Sequence, residues 1–423
     1  MTADGASSLS VAQRAEVQRH TLTVLVTGQV VGAAALGAAI TVGGFVVEHI
    51  VGVGSAWIGA STAAVTGGSG VMAQVLSRIM HRCGRRVGMQ LGYGLATVGG
   101  IIACVGVEGS VLWVFLLGLF CYGAGPSTNL LARYAATDLA LPDQRGRAMG
   151  LILFASTFGS VFGPTLVVPA EHLGSSWFGL GIYAGPWLFS SFFFACAAVN
   201  VGWRLRPDPL LVRVAEEPLT TPEGTVRLRN SLGAINRSAP ARLALVAMVV
   251  AQAVMVGVMA MAPIDMKHHH HEAISSLVVA VHIAGMFAFS PLVGRFADRQ
   301  GRLAAVGTGM VVLLAACGVS IFASASVALM FAAMFALGVG WCFALIGGSS
   351  LLTDNVPAAL TVPVQGTADL TTALCGGAAS VVCGLVMGQW GFAAVALASA
   401  VLTVPVLVGV VRHHRSALGP AAG

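Results

Sequence analysis

Apolar and polar residues alternate along this chain in long blocks rather than at the short periods of amphipathic helices or strands. Twelve apolar runs stand near residues 22–46, 55–76, 87–106, 110–133, 147–169, 181–203, 241–264, 273–295, 303–324, 327–351, 364–387 and 391–411. Crossing a hydrocarbon core of ~30 Å takes roughly 20 helical residues, and each run is close to that length. The pattern predicts an all-α integral membrane protein with twelve transmembrane helices. The longest polar stretch, 204–240, divides the runs into two sets of six. This predicts a cytoplasmic tail (1–21), an N-terminal half (22–203), a cytoplasmic central loop (204–240), a C-terminal half (241–411) and a second tail (412–423). The first apolar run outlasts a signal-peptide core, so it reads as a retained span.

Composition agrees: 57% of residues are hydrophobic and only 9% are charged. Soluble domains carry about 25% charged residues, so most of this surface must face lipid. The charge of +6 is explained by placement. Of 22 basic residues, all but Lys267 fall in the tails or in alternate loops, including Arg78, Arg82, Arg133, Arg145, Arg204, Arg237 and Arg412. Such segregation puts both termini and these loops in the cytoplasm of a plasma (inner) membrane, and it removes nucleic acid as a partner. Most of the eight Cys lie within apolar runs and none forms a C-x-x-C pair, so they read as packing residues.

The halves share a repeated loop. Gly294-Arg-Phe-Ala-Asp298-Arg299-Gln-Gly301-Arg302 stands 217 residues after Ser77-Arg-Ile-Met-His81-Arg-Cys-Gly84-Arg85. The second copy resembles the signature loop of the major facilitator superfamily; in the first, Ser77 and His81 replace its Gly and Asp. The resemblance implies two pseudo-symmetric six-helix bundles and a gating role for Asp298, Arg299, Gly301, Arg302, Gly84 and Arg85. Gly159-x-x-x-Gly163-Pro164 partly resembles the antiporter motif of drug-exporting members, and the spacing serves helix packing equally well.

The candidate chemistry concentrates in residues 255–286. Met255 and Met259 share one helix face, as do His282 and Met286. At 1.5 Å per residue, Met255 and His282 each lie about 15 Å from the outer ends of their spans. Thioethers favour Cu(I), and imidazole accepts copper readily. An outer loop with Met266, His268, His269, His270 and His271 would collect the metal. These residues resemble the CcoA-like (CalT) copper importers, which implies copper as substrate. Asp369 is the acid deepest in a predicted span and is the candidate proton-coupling group, with Gln365, Thr367, Thr371 and Thr372 beside it. Asp138 is expected to bridge to Arg133 or Arg145. Gln29, Asn129 and Gln252 are further candidate cavity residues. No phosphate-binding loop or catalytic signature is present, so the chain reads as a secondary transporter and not an enzyme, with no cofactor and no obligate protein partner. The first reading is copper import by alternating access. The alternatives are proton-coupled export of drug-like molecules and a membrane metal sensor.

Overall fold

The computed structural model describes residues 10–52, 60–181, 183–216, 228–269 and 272–417. His270 and His271, parts of both tails, residues 55–59 of the second predicted span and residues 217–227 of the central loop lie outside them. So do the side chains of His268, Gly163 and Pro164.

Sixteen α-helices follow one another among the described residues: α1 (Val11–Val51), α2 (Ala60–Cys83), α3 (Arg85–Glu108), α4 (Leu112–Tyr122), α5 (Ala124–Ala135), α6 (Arg145–Thr165), α7 (Val167–Phe178), α8 (Gly185–Arg204), α9 (Pro209–Glu216), α10 (Leu228–Arg237), α11 (Ala239–His268), α12 (Glu272–Phe287), α13 (Ser290–Gln300), α14 (Arg302–Ser320), α15 (Val327–Asp354) and α16 (Thr361–Ala417). No strand occurs among these residues.

The helices follow the apolar runs with local departures. α1 starts ahead of its run because Ser10 and Gln13 form a capping box: the Ser10 hydroxyl accepts from the Gln13 amide at 3.3 Å, and the Gln13 side chain accepts from the Ser10 amide at 2.9 Å. The predicted span 110–133 is two helices that meet at Gly123, and the span 273–295 breaks at residues 288–289 between α12 and α13. α16 carries two predicted spans, which meet at Gly391, where φ is +78° and ψ is −177°. Only glycine adopts that conformation at little cost. Among the described residues eight segments are long and apolar enough to cross a membrane by themselves, and the last, Ala358–His413, contains this junction. The polar central loop also holds structure, in the short helices α9 and α10.

Two compact units emerge. Unit 1 comprises residues 1–141, 155–228 and 365–370; unit 2 comprises 142–154, 229–364 and 371–423. Unit 1 is centred on aromatic side chains. Trp187 meets Phe115 and Tyr122 edge-on, at 5.3 and 5.7 Å between ring centres, and Tyr122 meets Phe194 at 5.1 Å. The Tyr122 and Ser190 hydroxyls both donate to the Ala35 carbonyl, tying α1 to α4 and α8. In unit 2, α15 is the central element, packed against α11, α12 and α14. The exposed residues are of the opposite kind from a soluble protein's: Trp113, Trp177, Trp203 and Trp390 are 66–78% exposed, whereas Arg85 and Arg133 are 0% exposed. Exposed aromatic side chains on the outside of a helical bundle fit a lipid solvent, and the two buried arginines mark internal ion pairs.

Candidate functional site

The repeated loop folds into the same ion pair in each unit. In unit 2, Gly301 (φ +94°) turns the chain from α13 into α14, and the Arg302 guanidinium donates to Asp354 at 3.1 Å. Arg145 also bridges to Asp354. In unit 1, Gly84 (φ +89°) makes the matching turn from α2 into α3. There Arg85 donates to Asp138 at 2.8 and 3.2 Å, and Arg213 approaches the same carboxylate at 3.7 Å. Asp138 and Asp354 stand 216 residues apart, almost the offset of the loops. The repeat therefore extends to a carboxylate at the far end of a later helix. This corrects the expected pairing of Asp138: its partner is Arg85, with Arg213 near, while Arg145 belongs to Asp354.

The copies differ where the motif differs. The Asp298 carboxylate accepts from the backbone amides of Gly146 and Arg147, both at 2.8 Å, at the start of α6. A carboxylate at a helix N-terminus meets unpaired N–H groups and the positive end of the helix dipole. Close approach is obligatory here, because a Cβ on Gly294 would lie 2.2 Å from the Gly146 carbonyl oxygen. Asp298→Ala should therefore cost about 1–2 kcal/mol in detergent unfolding, and Asp298→Asn less, since it keeps one acceptor. In the first copy His81 is half-buried. Burial, then the charges of Arg82 and Arg85, push its pKa below the ordinary histidine value, so it is neutral at neutral pH. Its contribution to stability is present above the unfolded-state pKa and is lost as pH falls below it. A different carboxylate caps the helix after this copy: Asp208 accepts from the Arg86 amide at the start of α3, at 2.7 Å. Arg299, the remaining gating candidate, is exposed. With Arg147, Arg295, Asp143, Gln144 and Asp298 it lines a polar cavity of about 210 Å³ in unit 2.

Unit 1 holds a second buried ion pair. Asp369 accepts from Arg133 at 2.6 Å and, through its other oxygen, at 3.3 Å. The guanidinium also donates to the Tyr134 hydroxyl at 2.9 Å and lies 4.2 Å from the centre of that ring. The expectation that Arg133 is a loop charge is thus corrected, for it is buried within α5. Gln365 and Thr367 are equally engaged: Gln365 accepts from Arg85 at 2.9 Å, and Thr367 donates to Gln74 at 3.0 Å. Gln252 accepts from the Trp341 indole at 2.8 Å.

The predicted metal ligands all fall in unit 2, on α11 and α12. Met255 is buried, and Met259 and Met286 are half-buried. His282 is fully buried, and its contact is with α15: Nδ1 lies 2.9 Å from the Met334 carbonyl oxygen. A carbonyl only accepts, so Nδ1 carries a proton, and in the neutral ring Nε2 keeps a bare lone pair. Nε2 is buried and has no hydrogen-bond partner among the described residues. At the end of α11, the buried Asp265 carboxylate accepts from Ser324 at 2.9 Å, and exposed His269 stands 3.7 Å away beside buried Met266. Among the described residues no three His, Cys, Asp or Glu side chains gather closely enough to hold a metal ion.

The family model of the Major Facilitator Superfamily matches residues 24–268 and 243–421. Two relatives from Bacillus subtilis (strain 168) are the uncharacterized MFS-type transporters YddS, 35% identical over 95% of this chain and 92% of its own, and YdeG, 33% identical over 92% and 91%. The riboflavin transporter RfnT of Brucella anthropi is 29% identical over 65% of this chain and 66% of its own. None of these names mentions copper, and the likeness to the copper importers rests on the motif of Met255, Met259, His282 and Met286 and the Ala-Pro and Ser-Pro steps beside it. Among solved structures, the human organic anion transporter MFSD10 superposes with a TM-score of 0.73 at 16% identity, covering 93% of this chain and 99% of that one. A bacterial homologue of the iron transporter ferroportin superposes with a TM-score of 0.71 at 13% identity over 93% and 98%. Both show the same fold. An all-helical chain of twelve apolar runs, a repeated signature loop and these matches mean that the protein belongs to the Major Facilitator Superfamily of multi-pass membrane transporters.

Proposed function

We propose that the chain is a secondary active transporter of the cytoplasmic membrane that carries a small, uncharged organic solute by alternating access. The moving parts are the two halves, 22–203 and 241–411, and both termini face the cytoplasm. The observation that carries the solute reading is His282. Its Nδ1 faces the Met334 carbonyl, so in the neutral ring Nε2 is an acceptor, and Nε2 is buried with no partner among the described residues. A buried acceptor left unpaired costs about 1–3 kcal/mol, which a solute hydroxyl or N–H would recover. The likeness to a riboflavin transporter supports a solute of this kind. The gating loops act through Arg85 and Arg302 with their carboxylates, and Asp369 is the group proposed to couple transport to protons.

Copper import is the second reading, and a specific feature favours it. A lone pair at Nε2 is also a ligand, with the Met286 thioether one turn away on α12 and Met255 and Met259 on α11. His269 and Met266 would then stand at the outer end of α11 as collecting groups. Uptake of labelled riboflavin and labelled copper by cells expressing wild type, His282→Ala and His282→Gln separates the two. Glutamine keeps a hydrogen-bond acceptor but is a poor ligand for Cu(I). For an organic solute, riboflavin uptake is expected to fall at least tenfold in His282→Ala and to survive in part in His282→Gln. For copper, both variants lose uptake. If neither solute enters above the empty-vector level, export of apolar compounds becomes the reading to test.

A further inference from the structure

Buried amide side chains normally satisfy both ends, since an orphaned polar atom away from water is costly. Unit 1 contains four with one end bonded and the other unpartnered among the described residues, Gln18, Gln29, Gln74 and Asn129, and two of them, Gln29 and Asn129, come together at α1. Gln29 on α1 is 3% exposed, and its Nε2 donates to the Ser156 hydroxyl of α6 at 2.7 Å. Its Oε1 is buried with no partner among the described residues. Asn129 on α5 is 5% exposed, and its Oδ1 accepts from the Tyr93 hydroxyl at 2.8 Å. Its Nδ2 is likewise buried and unpartnered. Gln29 thus offers an acceptor and Asn129 a donor, and each amide is held by the bond at its opposite end.

The amides belong to one neighbourhood. A Cβ on Gly32 would lie 2.7 Å from Asn129 Oδ1 and 3.3 Å from Asn129 Nδ2, so the Asn129 amide rests on α1 at Gly32. Gly32 is three residues after Gln29, about 4.5 Å further along the same helix and on the same face. The donor is positioned in turn: the Tyr93 ring stacks on Phe194 at 6.0 Å between centres. No ionised group takes part in this set.

We infer that Gln29 and Asn129 form a recognition site for a solute edge carrying an N–H beside a C=O, as in an imide, a lactam or a carboxamide. The solute N–H donates to Gln29 Oε1, and the solute carbonyl accepts from Asn129 Nδ2. Tyr93 and Ser156 are positioning residues that fix the two amides. The site rests on the organic-solute reading and narrows it to neutral compounds with a paired donor and acceptor. It also explains why a glycine stands at position 32, where any side chain would push Asn129 away.

The test uses the purified full-length chain in lipid nanodiscs, with binding read from flavin fluorescence. The probes are riboflavin, whose ring carries an imide N–H between carbonyls, and 3-methylriboflavin, in which a methyl group replaces that hydrogen. Wild type is expected to bind riboflavin about tenfold more tightly than the methylated probe, the worth of one buried hydrogen bond. Gln29→Leu should remove that preference by weakening riboflavin alone, whereas Asn129→Leu should weaken both probes. Should either leucine variant fail to elute as a monodisperse species, Ser156→Ala gives the same readout, because it frees Gln29 without removing it and should reduce the preference. Equal binding of the two probes by wild type overturns the site while leaving riboflavin as a solute. A preference untouched by all three variants overturns it too, by putting imide recognition elsewhere. Failure of wild type to bind either probe overturns both the site and the organic-solute reading.

Discussion

Asp369→Asn and Arg133→Met are each expected to destabilise the protein by about 3–5 kcal/mol, while the double substitution recovers most of that loss. Arg133 is 0% exposed and Asp369 is 5% exposed, and two hydrogen bonds join them. Asparagine keeps a hydrogen-bonding group of the right shape but leaves the guanidinium charge without its counterion in a medium of low dielectric. Methionine leaves a lone carboxylate in the same place. Removing both leaves neither. Thermal or denaturant unfolding of the four proteins in detergent gives the cycle directly, and additive losses would mean that the pair is not coupled. The same four proteins address coupling. If Asp369 carries the transported proton, the double variant regains stability yet no longer accumulates solute against a gradient when pH is lowered outside. If the pair is only structural, the double variant transports as wild type does.

That pair marks where sequence reading reaches its limit. The spans were legible because a bilayer demands long apolar runs. Breaks inside spans were not legible. Gly123 and the residues between α12 and α13 sit in apolar stretches whose composition suits a continuous helix, and their geometry depends on neighbouring helices. Arg133 lies at the end of an apolar run, so hydropathy alone assigns it to a loop. Its partner is 236 residues away in sequence, and no local pattern reports such a contact. For Asp138 the nearest arginines in sequence were the wrong ones. The correct signal was present in the repeat, since Asp138 and Asp354 keep nearly the spacing of Arg85 and Arg302. His282 stood out because ionisable groups inside spans are rare, but the carbonyl that sets its tautomer belongs to another helix. Gln29 and Asn129 were legible as candidate cavity residues, because they are polar side chains in apolar runs. What makes them a candidate site is that each has one end tied and one free, which only coordinates reveal.

Gly338→Leu is expected to abolish uptake, and even Gly338→Ala should cost about 1–3 kcal/mol. A Cβ at this position of α15 would lie 2.4 Å from the His282 carbonyl oxygen and 2.8 Å from the Met286 amide nitrogen. On the facing side, a Cβ on Gly285 would lie 2.5 Å from the Phe335 carbonyl oxygen. These neighbours are backbone atoms, which cannot swing aside as a flexible side chain would, so α12 and α15 must separate. Such contact between small residues is the usual way for helices to approach closely in lipid. Here it also brings His282 within 2.9 Å of the Met334 carbonyl, one turn before Gly338. Separating the helices stretches that bond and frees the imidazole to turn, which would disrupt the proposed solute contact at Nε2. Gly318→Ala on α14 is the control, because nothing lies within 4 Å of the added methyl. Unfolding in detergent and uptake measured on the same preparations should place Gly318→Ala with wild type and Gly338→Ala below it in both. A Gly338→Ala protein that is less stable yet transports normally would show that the helix contact supports the fold but not the substrate site, and His282 would lose its claim to touch the solute.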